Sequence, residues 1–457
     1  MIKQKLYLMA VFMLLFNLKS FSQERQLSLS EAWEAALAEY PGLTEKQALI
    51  RESEYLKRET QNDFLPKVQL QVQNTYGTFA GSTGAFFPLP GTFSVSGNTS
   101  IPGQTTASST FGSVLMDWRV FEFGRQRKGV QAAQANIQKA ESIFDATKLS
   151  VKAKVSRLYS EILYTGSKRQ WAKDNAERVN EIFELSKTLA EAGLKPGADT
   201  LLSGSSYLQT LGELDDWTGR LGASKIRLTE LVPLSPQSID FAFTNYLKAS
   251  LLPLADTSTA GHPYLNIISD QLDNDKLRAE VAARKRFPSL SILGGLSSRG
   301  SGIGTNGLVK SGLSSGFNNQ SSNYLIGLGL TWNISNAFNS ITERNRIRQQ
   351  QAATQSRYEA RTLQLKTGLQ SVSSRLSESR KQVDKTKSAV GKARKAYELY
   401  LSRYQNGLIN LTELLQIQLL LQQSEKVNIE AYQQFWEQLI ARSELTGDFS
   451  YLSNHFK

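Results

Sequence analysis

Tyr324-Leu325-Ile326-Gly327-Leu328-Gly329-Leu330-Thr331-Trp332 alternates with a period of two. Tyr324, Ile326, Leu328, Leu330 and Trp332 share one face, and Gly327, Gly329, Thr331 and Asn333 lie on the other. An apolar face with aromatics at both ends, over nine residues, is the expected lipid face of a transmembrane β-strand. A sandwich strand alternates in the same way, so this stretch alone leaves both readings open. The other strands and the N-terminus favour lipid.

Three further segments alternate. Val68, Leu70 and Val72 are interleaved with Gln69, Gln71 and Gln73, and Val114, Met116, Trp118 and Val120 with Ser113, Leu115, Asp117 and Arg119. Leu290 and Ile292 alternate with Ser289 and Ser291. The segments inside each strand pair, 75–110 and 297–323, are rich in Gly, Ser, Thr and Asn, as outer loops of a barrel are. At the N-terminus, Lys3 and Lys5 precede an apolar run from Leu6 to Leu18, followed by Ser20 and Ser22. This is the layout of an export signal cut after Ser22. The run is shorter than the ~20 apolar residues that span a bilayer. Loss of residues 1–22 removes three lysines and no acid, lowering the formal charge from +12 to +9.

The chain repeats one plan. Tyr40-Pro41-Gly42-Leu43 resembles His262-Pro263-Tyr264-Leu265, and Phe64-Leu65-Pro66 resembles Arg286-Phe287-Pro288, each pair 222 residues apart. Trp118 and Trp332, and Gly193-Leu194 and Gly407-Leu408, are 214 apart. The eight-residue difference falls in the loop-rich segment, where length varies most freely. Each copy opens with a helix of about 30 residues; in the first, Leu29, Ala32, Trp33, Ala36 and Leu37 form an apolar stripe capped by Ser28 or Ser30.

No proline occurs in residues 103–195 or after Pro288, so very long helices are permitted. Helices are expected over 123–192 and 338–406, each roughly 100 Å long and each ending at a glycine. Val130, Ile137, Phe144, Val151 and Leu158 are seven apart, as are Leu369, Leu376, Val383, Val390, Tyr397 and Tyr404. A strict seven-residue rhythm imposes a left-handed supercoil. Shorter return helices follow, near 198–231 and 411–445. Residues 338–406 hold 15 Lys/Arg against five Asp/Glu; this is a solvated face or a surface for an acidic partner.

Several chemistries are excluded. With no Cys there is no disulfide, thiolate metal site, Cys nucleophile or lipidated N-terminal Cys. His262 and His455 stand far apart with no ligand-spaced partner, and His262 reads as a turn residue. No phosphate loop, nucleophile elbow or zinc-protease helix is present. Neither an enzyme nor a cofactor is expected, and the export signal argues against nucleic acid as a partner.

Taken together, these features resemble the TolC-like outer-membrane efflux protein family, the outer membrane factors. Leu27-Ser28-Leu29-Ser30-Glu31-Ala32, running on to Tyr40-Pro41, is similar to the family's opening helix, although Asn is commoner before that proline. Tyr404-Gln405-Asn406-Gly407 followed by Leu411-Thr412-Glu413-Leu414-Leu415-Gln416 is similar to its second hairpin turn, and Leu445-Thr446-Gly447-Asp448 to its helix end. The resemblance implies a mixed membrane α/β fold: a homotrimer with four strands per chain, a 12-stranded outer-membrane β-barrel and a periplasmic α-helical barrel. The expected division is a signal peptide (1–22), repeat one (23–232), an equatorial linker (233–260), repeat two (261–447) and a tail (448–457). The implied function is a passive exit duct in a tripartite efflux or type I secretion system. Its implied partners are a periplasmic membrane-fusion (adaptor) protein, an inner-membrane pump of RND, ABC or MFS type, and outer-membrane lipid. Asp199 and Glu413, each six residues after a turn glycine, are candidates for the periplasmic aperture; the other reading is that both simply favour a helix N-terminus. Gly193, Leu194, Gly197, Gly407 and Leu408 are the candidate adaptor-docking tips, and Trp118, Tyr324 and Trp332 the membrane-interface aromatics. A periplasmic coiled-coil adaptor or scaffold is the alternative.

Overall fold

The computed structural model describes residues 25–78, 106–233, 239–241, 243–248, 261–304, 308–310 and 312–456. The export signal, residues 79–105 of the first expected loop and most of the 233–260 linker lie outside the described residues. The elements are β1 (Arg25–Gln26), α1 (Leu29–Glu39), α2 (Pro41–Asn62), β2 (Lys67–Thr78), β3 (Thr106–Phe121), α3 (Arg125–Glu191) and α4 (Gly197–Leu228). Then come β4 (Ile239–Asp240), α5 (Phe243–Tyr246), α6 (Pro263–Arg284), β5 (Ser289–Ser301), a 3-10 turn (Leu313–Phe317) and β6 (Ser321–Thr331). The chain closes with α7 (Ser335–Gln405), α8 (Leu411–Thr446) and α9 (Ser450–His455). Two compact units emerge. One comprises Met1–Leu49, Glu141–Ile267 and Tyr358–Lys457; the other, Ile50–Ala140 and Ile268–Arg357.

The second unit holds an antiparallel sheet ordered β2-β3-β5-β6. Its register places Leu70, Val114, Leu296 and Tyr324 side by side, with Val68, Met116, Gly294 and Ile326 in the next row. Gln71, Ser113, Ser297 and Asn323 stand together on the opposite face. The strands reach Thr78, Thr106 and Ser301, inside both expected loops. Ladder bonds join backbone groups, so Ser-, Thr- and Gly-rich ends pair even after the apolar alternation has stopped. Trp118 and Trp332 occupy matching positions: each indole donates to a carbonyl two residues before a strand-entry proline, Phe64 at 2.7 Å and Arg286 at 3.0 Å. In the helical part of this unit, Asp275 is fully buried and accepts from Gln271, Gln350 and Thr354.

The opening helix of the first copy is not one helix of 30 residues. Its first segment is capped by Ser28, whose hydroxyl accepts from the Glu31 amide while the Glu31 carboxylate accepts from the Ser28 amide. It stops at Tyr40, whose ψ of 118° is extended. The residue before a proline is pushed out of the α region by the ring, and Pro41 then starts α2 afresh.

The two long helices bury themselves differently. Along α7 from Leu369 to Tyr404, burial follows one stripe, Leu376, Ser379, Val383, Ala393, Tyr397 and Tyr404, at the seven-residue rhythm. The middle of α3 is covered around most of its circumference: Val151, Ala153, Val155, Ser156, Tyr159, Ile162, Leu163, Thr165, Lys168, Trp171 and Ala172 are all buried. The small residues permit this. Gly166 has no room for a Cβ because the Phe243 ring lies against it.

The core of the first unit is aromatic and gathers both ends of the described chain. The Leu29 amide donates to the Phe456 carbonyl (3.1 Å), and Trp33 meets Phe449 edge-on at 5.5 Å. Trp436, fully buried, packs against His455 and Phe456 at 4.7 Å and donates to the Tyr246 carbonyl at 3.1 Å. His262 is buried at the start of α6, its Nδ1 accepting from the Tyr264 amide. Lys168 is fully buried beside the rings of Tyr164, Trp171 and Trp217 and donates to Glu430 (2.9 Å) and the Lys426 carbonyl (3.2 Å). Burial holds its ammonium below the ordinary 10.5, with Glu430 opposing the shift.

Two outcomes are expected. Trp436→Ala should cost about 3–5 kcal/mol in denaturant unfolding, the range for buried aromatic truncation. Between the depressed Lys168 value and 10.5 the unfolded chain binds more protons than the folded one, so stability rises with pH in that window. Thermal midpoints followed from neutral pH upward should therefore rise more steeply for the native chain than for Lys168→Met; parallel curves would contradict this.

Candidate functional site

Two places carry the residues singled out from the sequence: the turns of the helical hairpins in the first unit, and the apolar face of the sheet in the second. They are built from different physics.

Both hairpin turns use the same device. Gly193 (φ 71°) and Gly407 (φ 73°) are left-handed, a conformation that costs a residue with a Cβ about 1–2 kcal/mol. The amides of Leu194 and Leu408 reach back to the carbonyls of Leu189 and Arg403, and those of Gly193 and Gly407 to Ala190 and Tyr404. This paired closure satisfies the last carbonyls of α3 and α7. It also turns two leucines outward, leaving Leu194 71% and Leu408 74% exposed. Gly197, the first residue of α4, has open space where a Cβ would stand.

Asp199 and Glu413 occupy equivalent positions, each the third residue of its helix. Their surroundings differ. Asn410 caps α8: its Oδ1 accepts from the Glu413 amide (2.9 Å) and its Nδ2 donates to the Glu413 carboxylate (2.8 Å). The N-cap of α4 is Pro196, which supplies no side-chain bond; only its carbonyl accepts from the Asp199 amide, at 3.0 Å. Asp199 acts instead on Tyr404. Burial first, and the Asp199 charge second, push that phenol above its ordinary 10.0. The Tyr404 hydroxyl is buried with no hydrogen-bond partner among the described residues. Lys195, in the first turn, donates to the Ile409 carbonyl of the second (3.3 Å) and lies 5.4 Å from the Tyr404 ring centroid. The sequence pattern pointed to the two acids and the glycines. It missed Lys195, and it marked Tyr404 as a seam residue and as the start of the turn motif but not as a partner of Asp199; Asn410-x-x-Glu413 is a readable capping pattern. Farther up the hairpins, Glu425 is gripped by Arg178 (2.6 Å) and Arg394 (2.9 Å), joining α3, α7 and α8.

On the sheet, the apolar face is uncovered. Val68, Leu70, Val72, Leu296, Ile326, Leu328 and Leu330 are exposed, and Tyr324 is 82% exposed. Trp118 and Trp332 are also exposed, with their indole N–H groups satisfied by the backbone bonds described above. An uncovered face of this size is unfavourable in water. Among the described residues, no helix is long and apolar enough to cross a membrane.

A family model described as outer membrane efflux protein matches residues 32–232 and 265–448. No curated protein sequence matches the chain significantly. Several solved structures share its fold. VceC of Vibrio cholerae, an outer membrane protein, is 16% identical, with a TM-score of 0.73 over 92% of this chain and 97% of that one. The Campylobacter jejuni CmeC outer membrane channel is 14% identical, with a TM-score of 0.72 over 92% and 85%. The open state of the Neisseria gonorrhoeae MtrE outer membrane channel is 15% identical, with a TM-score of 0.70 over 92% and 89%.

Gly407→Val should lower stability by about 1–2 kcal/mol through its left-handed φ, and Asn410→Ala by about 1 kcal/mol through the lost cap. Chemical denaturation of the single and double variants checks both; a loss confined to the glycine variant would count against the cap.

Proposed function

The chain belongs to the outer membrane efflux protein family, and from that premise we propose that it is one of three identical subunits forming an exit duct. The observation that carries the proposal is the sheet. It presents an apolar face to its surroundings and ends in two edge strands, β2 and β6. In lipid, unpaired edge N–H and C=O groups have no water to bond, so an open sheet is untenable. Edge-to-edge pairing of copies satisfies both edges, and three copies of four strands give a 12-stranded barrel. Trp118, Tyr324 and Trp332 lie at the borders of the apolar band, where aromatic girdles meet headgroups. Export by residues 1–22 delivers the chain to the envelope.

The hairpin turns form the periplasmic end. Threefold symmetry makes Asp199 and Glu413 into rings of carboxylates, which favour cations and narrow the aperture electrostatically. Glu413 is pre-oriented by Asn410, and Asp199 by the helix N-terminus. The outward leucines of the two turns offer apolar knobs to a periplasmic adaptor protein. An inner-membrane pump of RND, ABC or MFS type supplies energy and chooses cargo. The duct conducts passively, with no catalysis, cofactor or nucleic-acid partner. In the rival reading, a periplasmic coiled-coil adaptor, the exposed sheet face would need a protein cover.

Two measurements test this. Detergent extraction should release the chain from outer membranes as a trimer; a soluble periplasmic monomer would sink the duct. In planar bilayers, Asp199→Asn with Glu413→Gln should reduce cation selectivity, because the rings lose charge at nearly constant size. Unchanged currents would remove both residues from the aperture.

A further inference from the structure

The described residues between β5 and β6, 302–304, 308–310 and 312–320, fold back onto one face of the sheet, and the register identifies which. The Leu313 carbonyl accepts from Asn74 Nδ2 (3.2 Å) and Ser108 Oγ (2.8 Å). Gly302 donates to the Ser108 carbonyl, and the Ser301 amide to the Asn318 carbonyl, both at 2.8 Å. A Cβ on Gly316 would strike the side chains of Ser108 and Thr110, and one on Gly300 would strike the Gly316 carbonyl. Asn319 Nδ2 fastens the return by donating to the Ile303 carbonyl at 2.7 Å.

Asn74, Thr110 and Gly300 form one cross-strand row. Successive side chains alternate between faces, so this row lies on the same face as Leu70, Val114 and Leu296. The segment is therefore packed on the apolar side of the sheet, on the polar patch that continues it, and not on the glutamine-lined side. Its outward surface is again apolar: Leu308, Leu313 and Phe317 are 67%, 60% and 55% exposed. Lys310 is exposed beside them, with no carboxylate at ion-pair distance among the described residues.

The height of this shelf can be estimated. The row lies two residues beyond Val72 and four beyond Val114 and Leu296. At about 3.3 Å per residue that is about 7–13 Å along the strands, or roughly 5–10 Å in height after a strand tilt near 40°. The headgroup layer occupies about 5–8 Å on each side of the hydrocarbon. Apolar groups held at that level, with a cation among them, have the composition of an interfacial anchor.

We propose that residues 308–310 and 312–317 are a lipid-interface anchor: a shelf folded outward from the barrel wall, seating Leu308, Leu313 and Phe317 at the headgroup–acyl boundary of the outer leaflet, with Lys310 among the lipid phosphates. The occupant is lipid because the shelf continues the same face as the apolar band. This rests on the reading that the sheet spans the membrane, and the test separates the two.

The chain has no Cys, so a single introduced Cys takes a spin label without competition. Leu313→Cys, Phe317→Cys, Ile326→Cys in the apolar band and Leu408→Cys at a hairpin turn are labelled in the full chain. Each is reconstituted into vesicles of phosphatidylethanolamine and phosphatidylglycerol, with circular dichroism checking the fold. Relaxation by oxygen, which concentrates in lipid, is compared with relaxation by a water-soluble nickel chelate. The expected result is Ile326 deep in lipid and Leu408 aqueous, with Leu313 and Phe317 between them and several-fold less accessible to nickel than Leu408. If Ile326 is in lipid but Leu313 and Phe317 are as nickel-accessible as Leu408, the anchor is refuted and the membrane reading stands. If Ile326 is itself aqueous, both fail together.

Discussion

Hydrogen bonding of edge backbone groups is the constraint on which this molecule depends. Among the described residues, the four-stranded sheet satisfies its interior ladder but leaves one side of β2 and one side of β6 unpaired. In water such edges are a hazard; in hydrocarbon, where nothing else can bond them, they are intolerable. The exposed rows of Val, Leu and Ile show that the apolar face of this sheet is not spent on the chain's own core. In the proposed duct, the complement of this sheet comes from other copies and from lipid. In that proposal a single chain is a component rather than a finished object.

The helices answer a different demand. A helix buried along one stripe needs only a seven-residue rhythm, and α7 meets that with alternating large and small seam residues. A helix packed on most of its circumference needs small residues wherever a neighbour comes close. The central part of α3 supplies Ala153, Ser156, Gly166, Ser167 and Ala172 for this purpose. Polar ties then fix the register between helices: Lys168 with Glu430, Asn175 with Gln418 at 2.6 Å, and Glu425 between two arginines. Buried polar pairs add modest net stability but penalise any slip that would leave one partner unmatched. That suits long parallel packing surfaces, where purely aliphatic seams would tolerate sliding.

At the hairpin turns, stability and the proposed function use the same groups. The left-handed glycines close each helix, and the acids sit where the helix N-terminus favours negative charge. Those two placements suffice to orient carboxylates at the end of the hairpin. The aperture reading and the helix N-terminus reading are therefore compatible: in the proposed duct, the helix N-terminus holds each charge where it acts on the aperture.

Much of this was legible from local pattern. Period-two alternation gives strands, proline-free tracts with a seven-residue rhythm give long helices, and recurring Pro, Trp and Gly spacings give the duplication; each depends only on neighbours along the chain. Asp199, Glu413 and the turn glycines were legible for the same reason, because helix ends are local. The break at Tyr40 was written in Tyr40-Pro41 but masked by an apolar stripe that runs up to it. What the sequence could not contain is which faces meet across hundreds of residues. The enclosure of Lys168 joins aromatic rings of α3 and α4 with Glu430 of α8, Lys195 reaches the second turn only because the hairpins lie together, and the Phe243 ring fills the space at Gly166. The side of the sheet on which the described residues between β5 and β6 settle was equally hidden. A loop's composition says that it can leave the ladder, but only the tertiary register of Asn74, Ser108 and Gly300 decides where its hydrogen bonds can be satisfied.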